Sequence, residues 1–312
     1  MSLNFNQHNH VVVCIPYYKS QKYIRRAVDS LLVQTHSNLT VVVLNDADFE
    51  TPPWPMLADI TDHRLIRFDL SNNRGPFFAT QILLEVTTSP YFLIQDSDDW
   101  SHPERIAQLL NAIEYDNADF AVSAQPQIVE RSDGINEIIE LRWIKKVNNQ
   151  ITYTDSSTLS RFHINTMLTP KFRYRSPHHG LFRTSTLRNL GGYHPGYRIN
   201  FDSLIPNLIL MVGKISHVSL PLYYRFIRKE SLTHSEATGI DSFAAKKELE
   251  TTKFLYSKFY TIYEVFLKGQ LDSKGLFNAF KKIFESTISP DLNGNLLMEI
   301  KRFQYQNFNQ QF

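Results

Sequence analysis

Three carboxylates stand within four positions at Asp96, Asp98 and Asp99, directly after the apolar run Tyr91-Phe92-Leu93-Ile94. Like charges packed this closely repel one another unless a cation lies among them. Asp96 and Asp98 are two apart, so in an extended segment they point the same way and can share one ion or one nucleotide. Oxygen donors of this kind suit Mg2+ or Mn2+, which take one or two carboxylates and complete their shell with phosphate oxygens and water. The chemistry implied is a diphosphate held through a divalent metal. The plainer alternative is an acidic loop that caps the next helix, a use that suits Asp99 best.

The elements that must position this cluster are legible in the hydrophobic pattern. His10 to Ile15 reads as a buried strand closed by Pro16, and a helix follows with Ser20 at its N-cap. Ile24, Ala27, Val28, Leu31 and Leu32 form its apolar stripe, with Arg25, Arg26 and Asp29 on the wet side. A second strand, Leu39 to Leu44, ends in Asn45-Asp46. A proline-rich connection leads to a third strand, Leu65 to Leu70, then to the turn Asn72-Asn73-Arg74-Gly75-Pro76 and a helix to about Val86. The strand at 91–95 delivers the carboxylates. Ser101-His102-Pro103-Glu104 has capping-box spacing, and Ile106, Leu109, Leu110 and Ile113 continue as a helix. Alternating strand and helix over the first ~117 residues predicts an α/β fold: a mostly parallel sheet with helices on both faces. Ligands of such sheets sit beyond the carboxyl ends of the strands, where Asp46 and the acidic cluster both fall.

Beyond residue 118 the rhythm changes. Phe120 to Glu130 and Ile135 to Trp143 read as strands around Ser132-Asp133-Gly134. Residues 144–176 carry no clear pattern. Gly180 to Arg183 reads as a strand, Thr184 to Leu190 as a short helix stopped by Gly191-Gly192, and Lys214 to Ile227 as extended chain. From about 240 the sequence is helical, with aromatic stripes interleaved with lysines.

Composition bounds the function class. Of 312 residues, 42% are hydrophobic and 21% charged, enough for a real core and too apolar for disorder. Lys plus Arg is 33 against 31 for Asp plus Glu, which lacks the basic excess of a nucleic-acid binder. The single cysteine, Cys14, excludes an intrachain disulfide and a Cys-based metal centre, and it reads as a small buried hydrophobe. The N-terminal residues lack a secretory pattern, and no apolar run approaches the ~18–20 residues of a membrane span. The expected location is cytoplasmic, with a peripheral position at the inner face of the membrane as a variant of it.

Taken in order, the motifs resemble those of the family 2 glycosyltransferases of the GT-A fold. The first strand ends in Pro16-Tyr17-Tyr18 and the second in Asn45-Asp46. The turn Asn73-Arg74-Gly75 follows, then Asp96-Ser97-Asp98-Asp99 ahead of Pro103. Gly191-Gly192-Tyr193 and Asp202 come next, and the basic stretch Arg225, Arg228, Ser231-Leu232-Thr233 closes the set. Each match is weak alone; seven in order over residues 11–233 are specific.

The resemblance implies a Rossmann-like GT-A domain over 1–239, with a nucleotide-binding half at about 1–117 and an acceptor half at about 118–239. A helical extension over 240–312 lies outside it. It implies an inverting transfer of a single sugar from a nucleotide sugar, with UDP-sugar favoured, to a glycan, lipid-linked or small acceptor. The processive Gln-x-x-Arg-Trp motif is absent. Pro16 and Tyr18 would line the base, with Tyr18 stacking, and Asp46 would accept a hydrogen bond from the base edge. Arg74 would help hold the nucleotide. Asp96 would approach ribose or metal, and Asp98 would bind the Mn2+ or Mg2+ that bridges the diphosphate. Asp202 would be the general base, or else an N-cap for the helix near Leu204. His178 and His179 precede the strand at Gly180, so at most one of them should face the acceptor side. Arg225, Arg228 and Lys229 would close over the diphosphate.

Three positions depart from the family pattern: Phe201 replaces the glutamate usual before the base, Asn45 replaces an aspartate, and Lys19 replaces an asparagine. The loss of the glutamate keeps open a non-catalytic sugar-nucleotide binder. A phosphatase of the haloacid dehalogenase type also places Asp-x-Asp after a strand, but usually on the first one. For the tail, three uses stand open: packing on the catalytic domain, a homodimer contact, or a peripheral membrane contact. Its lysines and acids nearly balance, which is no polybasic patch.

Overall fold

The computed structural model describes residues 8–130, 136–141, 144–147, 150–153, 178–228, 239 and 242–309. The expected turn at Ser132-Asp133-Gly134, Lys229 and the Ser231-Leu232-Thr233 stretch lie outside them.

β1 (Val11–Tyr17), β2 (Leu39–Asn45), β3 (Leu65–Asp69) and β4 (Tyr91–Ile94) alternate with α1 (Gln21–Leu32) and α2 (Pro76–Val86). After the short β5 (Trp100–Ser101) come α3 (Arg105–Asp116), β6 (Phe120–Ala124), β7 (Pro126–Glu130), β8 (Asn136–Leu141), β9 (Ile144–Val147) and β10 (Gln150–Tyr153). β11 (Leu181–Arg183), α4 (Thr184–Asn189), α5 (Leu204–Val212), β12 (Ile215–Pro221) and β13 (Tyr223–Ile227) follow. The tail forms α6 (Phe243–Leu267), α7 (Ser273–Glu285) and α8 (Pro290–Asn309).

The central sheet has seven strands in the order β12-β6-β11-β4-β1-β2-β3. All neighbours are parallel except β11, which runs antiparallel between β4 and β6. A second sheet, β5-β13-β7-β8, lies beyond the carboxyl edge of β4. Its first strand pairs Trp100 and Ser101 with Tyr224 and Tyr223, so β13 is brought directly to the acidic turn.

Alternation along β1 divides the core. Val12 and Cys14 face one cluster with α2, α4, α5 and the tail; Val11, Val13, Ile15 and Tyr17 face another with α1 and α3. Helices therefore cover both faces, as the pattern predicts. The tail joins the first cluster through Leu255, Phe259, Phe280, Phe284, Leu296 and Phe303. Each such buried side chain contributes roughly 1.5–3 kcal/mol, so packing on the rest of the chain is the use of the tail that the structure displays. Among the described residues no helix is long and apolar enough to cross a membrane.

Several local expectations are corrected. Pro16 does not end β1; it lies within the strand, opposite Leu44. Pairing with β4 stops at Cys14, so the N–H that proline lacks falls where no partner strand remains. Ser20 occupies the N-cap position of α1 without capping it, because its hydroxyl meets Ser97 Oγ at 2.6 Å. The predicted capping box does not form. Ser101 belongs to β5, its hydroxyl donates to Gln95 Oε1, and the helix begins at Arg105. The single strand expected over Phe120 to Glu130 breaks at Gln125, which sends β6 and β7 into different sheets. Arg26 leaves the wet side to lie 3.9 Å over the Trp100 ring. Gly191 and Gly192 do stop α4, with φ of 97° and 73°. At Gly192 a Cβ would sit 2.3 Å from Gln81 Oε1, the atom that accepts the Tyr193 N–H, so only glycine fits.

Candidate active site

β4 ends at Ile94, and buried Gln95 anchors the turn that follows. Its backbone N–H donates to Cys14 O at 3.0 Å and its amide to Ala27 O at 2.9 Å. The three carboxylates then diverge in environment. Asp96 keeps a side chain 41% exposed while Oδ2 contacts His179 Nε2 at 2.9 Å. Burial works against its ionisation, but the neighbouring imidazole outweighs that and holds the carboxyl below its usual range. Asp98 is mostly buried, and its Oδ2 accepts from Arg228 Nε at 2.6 Å. Burial pushes its carboxyl up, Arg228 opposes this, and Asp96 adds to it. Asp99 is 3% exposed and accepts the Phe226 N–H at 2.7 Å. Burial, followed by repulsion from Asp98 and Asp96, raises it well above the carboxylate range. It caps no helix; it ties the turn to β13.

Beneath the turn lies Arg105, a fully buried guanidinium that the sequence reading passed over. It donates to Gln95 Oε1, Ser101 Oγ, Ile94 O and His179 O at 2.9 to 3.2 Å. Its face lies 4.1 Å from the Tyr223 ring centroid, and the Tyr223 ring also stacks on His179. The Tyr223 hydroxyl accepts the Asp96 N–H at 3.0 Å. A signal for Arg105 existed: it shares the apolar stripe of α3, four residues before Leu109.

His178 and His179 are both buried and divide their roles. His179 meets Asp96, whereas His178 Nδ1 contacts the Tyr193 hydroxyl at 3.0 Å. Burial, then the adjacent His179, lowers His178 well below the usual imidazole range, so it stays neutral. Arg225 lies among Asp99, Asp96 and Asp202, and its Nε and Nη1 are solvent-inaccessible and find no hydrogen-bond partner among the described residues.

The oxygens of Asp96, Asp98 and Asp99 lie within 4.8 Å of one another, and Asp96 forms a second such group with His178 and His179. The first set is all carboxylate and fits Mg2+ or Mn2+; the second adds nitrogen donors and suits Mn2+ better. Either fits a divalent ion at Asp96.

On the other side of β1, Tyr18 is 37% exposed, with Lys19 Nζ 5.4 Å from its ring centroid. Lys19 holds φ of 49° and donates its N–H to Asp48 Oδ2 at 3.0 Å. This left-handed position explains why asparagine suits it. Asp46 is buried, and its two oxygens accept the N–H groups of Arg74 and Gly75, each at 2.7 Å. Burial still raises its carboxyl. Arg74 thus meets Asp46 through its backbone. Pro16 is partly exposed beside them.

Asp202 is partly exposed ahead of α5, whose N-cap position belongs to Ser203, so Asp202 does not fill the capping alternative. Its charge bears on Arg225 and Tyr193. Phe201, where a glutamate is usual, is fully buried, with its ring 5.1 Å from Tyr197 and 5.9 Å from Phe77. A carboxylate there would have to ionise inside an aromatic cluster, which is costly.

Comparison with known proteins places this geometry. The chain is 23% identical over 239 residues to the teichoic acid poly(glycerol phosphate) polymerase of Staphylococcus epidermidis, covering 73% of this chain and 30% of that protein. It is 29% identical over 114 residues to the glycosyltransferase GlyA of Streptococcus pneumoniae, covering 36% of this chain and 16% of the relative. The chain therefore spans under a third of either relative. Among solved structures it is similar to S. aureus TarS 1-349 in complex with UDP-GlcNAc, with a TM-score of 0.57 and 17% identity. That likeness covers 96% of this chain and 92% of the other, and it concerns the fold. The sequence model described as glycosyl transferase family 2 matches residues 12–191, which hold most of β1, the whole of β2, β3 and β4, the acidic turn and the Gly191 stop. The chain belongs to the family 2 glycosyltransferases and carries their GT-A fold.

Proposed function

We propose that this chain transfers one sugar from a UDP-sugar, with inversion, to a glycan, lipid-linked or small acceptor. The observation that carries the reading is the facing of two charge sets at one sheet edge: the carboxylates of Asp96, Asp98 and Asp99, and the guanidinium groups of Arg225 and Arg228. A diphosphate and its cation together satisfy both. The UDP-GlcNAc complex of the solved relative supports a UDP-sugar donor here as well.

Tyr18 would cover the base, and the Asp46-ordered loop would present its edge. Asp96 and Asp98 would hold a Mn2+ or Mg2+ ion, which when bound offsets charge on the departing diphosphate. The hydrogen-bond capacity left on Arg225 would be met by phosphate oxygens, and Arg228 would exchange Asp98 for the same group. Asp202 would take the proton of the acceptor hydroxyl, and attack from the face opposite the diphosphate inverts the anomeric carbon. Residues 1–239 would form the catalytic domain, and 240–312 its helical extension.

Thermal denaturation with UDP, with and without Mn2+, tests this. The expected result is metal-dependent stabilisation that disappears in Asp98→Ala; equal stabilisation of that variant would refute the metal assignment. Burial of Phe201 favours one rival, a binder without turnover. Donor hydrolysis in the presence of Mn2+ separates the two, and binding with no turnover on any acceptor would select the rival.

A further inference from the structure

The family match ends at residue 191, yet the contacts that fix the base-side loop continue past it. Arg198 donates from Nη2 to Asn73 O at 2.9 Å and from Nη1 to Asn73 Oδ1. Asn73 in turn donates from Nδ2 to Asp46 O at 3.1 Å. The aliphatic stem of Arg198 lies on Gly75, where an added Cβ would come 2.9 Å from Arg198 Cγ. Gly75 has φ of 95° and gives its N–H to Asp46. Asp46, Asn73 and Gly75 are thus closed into one unit from outside by a single arginine, its guanidinium on Asn73 and its stem on Gly75.

Arg198 is itself held by the tail. Glu248 on α6 accepts the N–H of Ile199 at 2.8 Å and of Arg198 at 3.2 Å. Asn200, with φ of 61°, donates to Ala245 O on the same helix at 3.0 Å. Asp202 follows two residues later. One helix of the tail therefore fixes the segment that reaches the base-side loop in one direction and leads to Asp202 in the other.

We infer that Arg198 is a positioning residue for the uridine pocket, set by Glu248, and that α6 is a working part of the donor site. The inference rests on the UDP-sugar reading above. Arg198 is exposed and forked, so its two bonds to Asn73 fix orientation more than they add stability. Without them the Asn73-Arg74-Gly75 loop is held by Asp46 alone and must be ordered by the ligand, which weakens binding.

The test is calorimetric titration of the full chain with UDP in Mn2+, with uridine alone, and with Mn2+ alone, for the unchanged protein, Arg198→Ala, Arg198→Lys and Glu248→Gln. Arg198→Ala should weaken uridine and UDP by the same factor, about fivefold, the worth of roughly one net hydrogen bond. Mn2+ binding should be unchanged. Lysine, a point donor, should not restore the loss, and Glu248→Gln should reproduce part of it. Unaltered uridine and UDP affinity in Arg198→Ala would overturn the inference, as would a parallel loss of Mn2+ binding, which marks general disruption. Failure of the unchanged protein to bind UDP or uridine would instead overturn the donor reading on which the inference stands.

Discussion

Arg105 offers the sharpest test of how the acidic turn is held. Its guanidinium is fully buried, and replacement by alanine removes every bond it makes to Gln95, Ser101, Ile94 and His179. Those acceptors are not equally exposed to the loss. Ser101 Oγ still donates to Gln95 Oε1 at 2.5 Å, and His179 O still receives Gln125 Nε2 at 3.1 Å. The larger cost is the loss of buried donors rather than of charge, because burial holds the guanidinium down to about 10 and Tyr223, Asp99 and Asp96 only partly offset that. Leaving a buried acceptor without its donor costs about 1–3 kcal/mol. With a cavity left against Tyr223 added, about 4 kcal/mol is expected, and at roughly 2 °C per kcal/mol for a chain this long the midpoint falls by about 8 °C. Circular dichroism melting of the unchanged protein, Arg105→Ala and Arg105→Met checks it. Methionine refills most of the volume but supplies no donors, so it should recover only a minor part. A methionine variant that melts within about 1 °C of the unchanged protein would refute the hydrogen-bond argument.

Asp202→Asn should lower sugar transfer by at least about a hundredfold while UDP affinity is retained, read by a transfer assay beside calorimetry. Arg228→Ala should cost the metal-free protein about 2 kcal/mol, since both partners of its bond to Asp98 are largely buried. Saturating Mn2+ should narrow that deficit in urea unfolding, and an unchanged deficit would count against a metal at Asp98. His194 is buried against Phe284 and meets Thr287 Oγ1 at 3.1 Å, and burial lowers its imidazole to about 4. The unfolded chain then binds this proton first, so stability present at neutral pH is lost as pH falls from about 6.5 to about 4, by at most about 3 kcal/mol. Urea midpoints at pH 7 and 4.5 should differ less in His194→Gln than in the unchanged protein.

The strand-helix alternation and the sheet edge were legible because the central strands β1 and β2 are buried on both faces and read as nearly unbroken apolar runs, Val11–Tyr17 and Leu39–Asn45. The placement of Asp46 and the acidic turn beyond those strands followed from the same pattern. Local competition decided what was not legible. Ser20 and Ser101 have the residue types of caps, but tertiary partners at Ser97 and Gln95 take their hydroxyls. Pro16 looks like a strand end because the sequence does not reveal that the neighbouring strand stops first. Arg26 reads as surface charge and Arg105 draws no reading, since nothing local announces the aromatic rings of Trp100 and Tyr223 that receive them. Glu248 and Arg198 meet across 50 positions, a distance no spacing rule spans.

Cys14 has a practical consequence. It is fully buried in β1, its Sγ lies 3.8 Å from Thr80 Oγ1, and burial pushes its thiol up to about 12. A thiol in that state barely ionises near neutral pH and presents nothing to a reagent. Alkylation in the native protein should therefore proceed only through opening of the central sheet, which makes Cys14 an internal clock for global unfolding. A single cysteine placed on the surface could carry a fluorophore without first removing the native one.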